Sequence, residues 1–135
     1  MCLLLEHLEP KIADKDIICY KLIKRTRIKG VYKSRFQDFE YVIRQLYTNN
    51  LDIKFADIVV HKLCPSYPYY GAYAIEEGMF HSYVSSLHAK INRGPSEFIV
   101  KCIIPKGAYY YTGYYNLFIN YASSQIKILE EIWIQ

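Results

Sequence analysis

The alternation of apolar and polar positions divides this chain into short segments whose period is nearer two than 3.6. From Asp16 to Arg25, Ile17, Cys19 and Ile23 share one parity, and Ile18, Tyr20 and Leu22 the other. Apolar residues on both parities suit a strand covered on two sides. Gly30 marks the turn that follows. Glu97 to Ile104 is a second strong strand, ended by the turn signal Pro105-Lys106-Gly107. Gln125 to Ile134 is the last, with Ile126 and Ile128, then Ile132 and Ile134. Tyr109 to Tyr111 begins a return strand that Gly113 is expected to interrupt, and Tyr114 to Tyr121 is expected to be a loop or sheet edge. Leu51 to Leu63 suits one or two short strands, and Cys64 to Ala72 a loop marked by Pro65, Pro68 and Gly71. Met1 to Asp14 reads as an entry segment that Pro10 ends.

Two segments depart from this β pattern. Ser85 or Ser86 can cap a short helix through Leu87, Ala89 and Ile91, stopped by Asn92, Gly94 and Pro95. Ser34 to Thr48 supports two readings. Ser34 with Gln37 fits a capping box, and Phe36, Phe39, Ile43 and Leu46 have roughly helical spacing. Yet Phe39, Tyr41 and Ile43 also alternate, and their aromatic and β-branched character favours a strand. No repeat or linker divides residues 1–135, so the expectation is a single α+β domain, mainly antiparallel sheet with one short helix after Tyr83.

Composition adds one unusual feature, 15 tyrosines, which suggests a half-buried sheet surface or a contact face. At 52% hydrophobic and 22% charged, the chain is globular rather than disordered. The net charge of +4 is mild. Only Lys21, Lys24, Arg25, Arg27, Lys29 and Lys33 form a dense basic run, more often a solvated strand end than a phosphate-binding stripe. No signal peptide, membrane-length apolar run or lipidation motif is found, so the expected location is the cytoplasm, without membrane attachment. The cysteines Cys2, Cys19, Cys64 and Cys102 lack C-x-x-C spacing. They are expected to be reduced, with Cys19 and Cys102 buried in strands.

Sequence motifs for a nucleophile elbow, a phosphate loop or a metalloprotease helix are absent, and neither a cofactor nor a metal site is expected. His81 and His88 stand seven apart, but the helix start between them breaks a shared ligand geometry. His81-Ser82-Tyr83 carries three polar side chains among apolar neighbours. The ordinary role of such a histidine is to tie a loop to the backbone; the functional one is ligand contact or general base. Lys106 with Tyr109 to Tyr111 has the same duality, as turn and strand or as groups that hold a phosphate and stack a base. If a ligand site exists, it is expected at His81, Tyr83, Lys106 and Tyr110, because cation, imidazole and phenol together suit an anionic, ring-bearing ligand.

Three segments resemble a group of small phage, prophage and gut-anaerobe proteins. They are Phe39-Glu40-Tyr41 continuing to Leu46-Tyr47; Gly78-Met79-Phe80-His81-Ser82-Tyr83; and Val100 to Gly107 with Tyr110, Gly113, Tyr121-Ala122-Ser123 and Ile126. The last is the most specific. Two positions depart from the group: it usually has Gly where Arg44 stands, and one residue between Gly and His where Met79 and Phe80 make two. The resemblance implies a strand rather than a helix over Phe39 to Tyr47, and it implies no established chemistry.

The leading expectation is therefore a non-enzymatic binding protein of a phage or mobile element. Its partner would be a host-defence protein or a small nucleotide signal, with homo-oligomerisation left open. The rival is an ADP-ribosyltransferase-like enzyme in which Tyr83, Ser123 and Glu130 or Glu131 take the aromatic, serine and glutamate roles; Glu130-Glu131 lacks the E-x-E spacing. A third reading is a weak nucleic-acid binder using Lys21 to Lys33.

Overall fold

The computed structural model describes residues 3–5, 10–34, 39–48, 58–60, 73–75, 79–115 and 117–132. The expectation for residues 64–72 lies outside them, as does Gly78. Among the described residues thirteen strands form one antiparallel sheet, joined by one short helix, so the molecule is mainly β rather than a balanced α+β domain. The one helix among the described residues is Ser86–Asn92 (α1). Ser85 is its N-cap, its hydroxyl accepting from the Leu87 amide at 3.1 Å.

The centre of the sheet is the ladder between β3 (Ile17–Arg25) and β10 (Glu97–Ile104), in register from Ile17↔Ile104 to Lys24↔Glu97. On the far side of β10 lies β13 (Gln125–Ile132), with a register shift at Lys101/Cys102. β6 (Leu46–Thr48) then pairs with β13. On the other side of β3 come β9 (Phe80–Tyr83), β12 (Phe118–Ser123) and β11 (Tyr109–Tyr115). Beyond them lie β1 (Leu3–Leu5), β8 (Tyr73–Ile75) and β7 (Ile58–Val60). β2 (Lys11–Ile12) pairs with β11, so the entry segment of residues 1–14 contributes two short strands to the sheet.

Two further expectations are corrected. Gly113 does not interrupt β11, because it pairs with Asn120 inside a ladder that runs from Tyr110↔Ser123 to Tyr115↔Phe118. Residues 118–121 are interior strand rather than loop or edge, held by β11 on one side and β9 on the other. Aromatic rings on both parities read as irregular in sequence but suit a strand flanked on both edges. Residues 40–48 form β5 (Glu40–Val42) and β6 around a turn, as the strand reading had it.

Only Ser124 separates β12 from β13, although β10, β3 and β9 stand between them in the sheet order. The sheet must therefore curl until the end of β12 meets the start of β13. Ser124 clasps this corner: its amide donates to the Tyr109 carbonyl at 2.9 Å, and its hydroxyl accepts from the Tyr109 amide at 3.0 Å. The inner face of the curl holds the main core of Cys19, Ile23, Val100, Cys102, Ile104, Ile126 and Ile128, with Tyr32 and Tyr41. Each aliphatic side chain buried there contributes roughly 1.5–3 kcal/mol. The outer face carries a smaller core of Leu22, Tyr83 and Ile99, covered by Ala89 of α1.

β4 (Val31–Ser34) continues the β3 edge at Ile23 to Arg25 and pairs with β5. The turn from β5 to β6 places Arg44 at φ 65, and its amide donates to the Ile128 carbonyl at 2.7 Å. A left-handed backbone costs an L-residue roughly 1–2 kcal/mol, which glycine avoids at the expense of a more disordered unfolded chain. The glycine that the resemblance implies here is thus the residue this turn favours. Arg44→Gly is expected to stabilise the protein by roughly 0.5–1 kcal/mol, seen as a higher urea midpoint at unchanged m-value; a lower midpoint would show that the Arg44 side chain matters more than its backbone.

Candidate functional site

β3 offers one edge to β10 along its whole length, so its other edge must serve both β9 and β4. β9 touches that edge at Tyr20↔Tyr83 alone, and β4 takes it from Ile23 onward. A fork opens between them at Lys21 and Leu22. Strand backbone beside such a fork loses its ladder partners, and a buried carbonyl without a donor is costly. The Lys21 ammonium fills this role by donating to the His81 carbonyl. It also lies 5.4 Å from the centroid of the Tyr41 ring, in cation–π range.

Around Lys21 the inner face is unusually polar for a core. Cys19 and Cys102 are directly opposed across the β3–β10 ladder, both free and both fully buried. Ser82 faces the same side, and its Oγ is buried without an oxygen or nitrogen partner, its polar neighbour being the Cys19 thiol. Burial pushes the Cys19 thiol up, but the Cys102 thiol, the Ser82 hydroxyl and the Lys21 charge outweigh it, and the net shift is downward. Cys102 moves the opposite way: burial and the neighbouring Cys19 push its thiol well up, against weaker help from Lys21. Tyr121, whose phenol burial pushes up, borders the same cluster. Two thiols with opposite tendencies, a hydroxyl and an ammonium thus meet at one place.

The four residues expected to form a ligand site do not converge. His81 and Tyr83 share the outer face of β9, where His81 opposes Ala122 and Tyr83 opposes Asn120. Tyr110 projects from the inner face: it is in line with Ser123 and Phe80, and its ring meets Tyr121 edge-on at 5.8 Å. Lys106 is exposed in the turn before β11, its amide donating to Asp16 Oδ1 at 2.9 Å. His81 sits in a strand rather than a loop, and its Nδ1 is buried with no hydrogen-bond partner, so it does not tie a loop to the backbone through that atom. Burial, helped by the Lys21 charge, pushes its pKa down to about 3.

The rival catalytic casting is also divided. Tyr83 is buried under α1 on the outer face, whereas Ser123 is buried on the inner face and donates to the Gln125 carbonyl at 3.0 Å. Glu131 is held by Arg25 through two bonds of 2.9 and 2.8 Å, an arrangement that lowers its carboxyl. The basic run is likewise dispersed. Lys21 is directed into the fork and Arg25 lies on Glu131 and 3.7 Å above the Phe98 ring, leaving Lys24, Arg27, Lys29 and Lys33 on the surface.

Sequence reasoning placed Cys19 and Cys102 in buried strands but did not bring them together, and it missed Lys21 as an interior residue. The available signal was their near-central position in the two strongest predicted strands, which become neighbours only once β3 and β10 pair. No family model, curated protein or solved structure matches this chain.

The electrostatics of His81 fix a sign for the pH dependence of stability. Its folded pKa lies below the unfolded value of 6.5, so the unfolded state binds the proton first as pH falls. Stability contributed by neutral His81 is complete above the unfolded value and is lost on acidification from there down toward the folded value. The loss sets in near pH 6.5 and is expected to approach about 1.4 kcal/mol per pH unit between about pH 5.5 and pH 4 through this group. Urea denaturation at a series of pH values tests this. His81→Gln should flatten the slope, and an unchanged slope in that variant would assign it to other groups.

Proposed function

We propose that this chain is a non-enzymatic binding protein that engages a partner protein through the outer face of α1 and the neighbouring β11–β12 turn. The observation that carries this reading is the pair Leu87 and Ile91. They stand one helical turn apart and are 59% and 60% exposed, while Ala89 alone of this helix is buried. Residues at i and i+4 share a helix face, so the two leucine-sized side chains form one apolar step directed away from the sheet. Scattered single hydrophobics are ordinary on a surface, but a third belongs to the β11–β12 turn, which reaches the same helix. Leu117 is 85% exposed at φ 71, and Phe118 next to it packs edge-on against His88 of the same helix at 5.0 Å.

The resemblance to phage and mobile-element proteins supplies the biological setting of the proposal, in which the partner is a host-defence protein. A protein target is favoured over a small nucleotide because the residues proposed for an anionic, ring-bearing ligand are split between the two faces of the sheet. An enzymatic role of the ADP-ribosyltransferase kind is disfavoured by the same division between Tyr83 and Ser123.

The test compares the native chain with Leu87→Asp/Ile91→Asp as bait in host lysate. Both positions are exposed, so thermal stability should change little. A specific protein captured by the native chain should be lost, or its affinity reduced by at least about 2 kcal/mol, in the double variant. Capture that is indifferent to the two substitutions, or a nucleotide co-purifying with the chain in native mass spectrometry, would overturn this reading.

A further inference from the structure

We propose that Cys19 and Cys102 form a redox-active dithiol that small hydroperoxides convert into a cross-strand disulfide, with Cys19 as the attacking sulfur. The geometry rests on the register. Residues directly opposed in an antiparallel ladder have Cα atoms about 4.5–5.5 Å apart. A disulfide requires roughly 4.4–6.8 Å, so the pair can close without separating the strands. Both side chains occupy the inner face, packed in the same core, with Ile128 as the next neighbour of Cys102 across β13.

A buried cysteine in apolar surroundings is inert, and this pair differs from that case in three respects. The ammonium of Lys21 and the hydroxyl of Ser82 stand beside Cys19, and both favour its thiolate. The thiol of Cys102 stays protonated beside it and can donate to that thiolate before reaction. The fork between β9 and β4 interrupts the sheet at Lys21, next to Cys19 but one, and Lys21 is only partly buried there. Cys19 and Cys102 are themselves closed to solvent, so an oxidant that reaches them at this interruption must be as small as hydrogen peroxide rather than a bulky disulfide. The same ammonium argues against a metal ion at the pair, since a cation bound there would be repelled, and among the described residues no third histidine, cysteine or carboxylate completes a ligand group.

The reaction balances with peroxide as the oxidant. The Cys19 thiolate attacks one peroxide oxygen, the O–O bond breaks, and with one proton water leaves and a sulfenic acid remains. The Cys102 sulfur then attacks the Cys19 sulfur. The S–S bond forms, the S–O bond breaks, and the hydroxyl leaves as a second water with the Cys102 proton. Two thiols lose two electrons in all, and one peroxide is reduced to two waters. The product joins β3 to β10 at the ladder on which the sheet is centred.

The test uses the full chain carrying Cys2→Ser and Cys64→Ser, which removes competing thiols. After exposure to hydrogen peroxide and alkylation, peptide mass spectrometry should find Cys19 and Cys102 linked within one molecule, and dithiothreitol should reverse the link. Adding Cys102→Ser should arrest the reaction at a dimedone-reactive Cys19. Lys21→Gln should slow formation of the link roughly tenfold, as expected for the loss of a neighbouring positive charge, while Lys21→Arg should retain the rate. The proposal is overturned if the two cysteines remain alkylatable in peroxide-treated protein whose circular dichroism is native. It is equally overturned if Cys102 is the residue dimedone labels in a Cys19→Ser chain at the rate seen for Cys19, or if folded Lys21→Gln reacts at the native rate.

Discussion

The β3–β10 ladder is the constraint on which the other elements depend. Eight consecutive residue pairs, from Ile17↔Ile104 to Lys24↔Glu97, fix the face of every side chain on both strands. A slip of one residue would exchange the inner core of Cys19, Ile23, Val100, Cys102 and Ile104 with the outer set of Leu22 and Ile99. Both sets are apolar, so the pattern of the two strands alone distinguishes the registers weakly. What distinguishes them is the surroundings: the Arg25–Glu131 pair and Tyr32 require the inner parity, and α1 with Ala89 requires the outer one.

The fork at Lys21 follows from that ladder. Because β10 occupies one edge of β3 without a break, β9 and β4 must divide the other, and a polar gap arises where neither reaches. A lysine is suited to such a gap. A long aliphatic stem tolerates apolar surroundings, while the ammonium meets the His81 carbonyl and the Tyr41 ring. The consequence is a positive charge placed beside thiols in an otherwise hydrophobic interior. Stability and chemistry are thus coupled at this point: the group that satisfies the His81 carbonyl also lowers Cys19 and His81.

The tyrosines have two structural duties. Tyr32 and Tyr41 close the inner core, while Tyr41 and Tyr47 join Phe39 and Phe80 in a set of edge-to-face contacts, with centroids 4.7–6.3 Å apart. Tyr47 also accepts the Val42 amide at 2.6 Å, binding the β5–β6 turn to its own strand. Rings with a hydroxyl suit this curled sheet because its rim is half wet, and each ring can bury its body while its oxygen reaches a partner. Among the described residues most tyrosines are buried or half-buried, as a half-buried sheet surface requires, and the most exposed large apolar side chains are aliphatic: Leu117, Ile28, Ile91, Leu87 and Ile12.

The sequence by itself determined the elements whose signals are local. Alternation with β-branched residues set 17–25, 97–104 and 125–132 as strands, Pro105 and Gly107 set the turn, and Ser85 set the helix start. Those features depend on side-chain period, backbone preference and one capping hydroxyl, all carried by residues close in the chain. The interior strands at 109–115 and 118–123 were legible only in part, because a glycine or a run of aromatics is compatible with a strand only when partners on both edges hold it. The tertiary structure alone decided which residues meet. It put Tyr110 opposite to His81 across the sheet, directed Lys21 inward from a run that reads as solvated, and set Cys19 against Cys102 although 82 residues separate them in sequence. The physical reason is that these contacts come from strand order and sheet curvature. A period of two records that a side chain faces one side, but not what stands across from it.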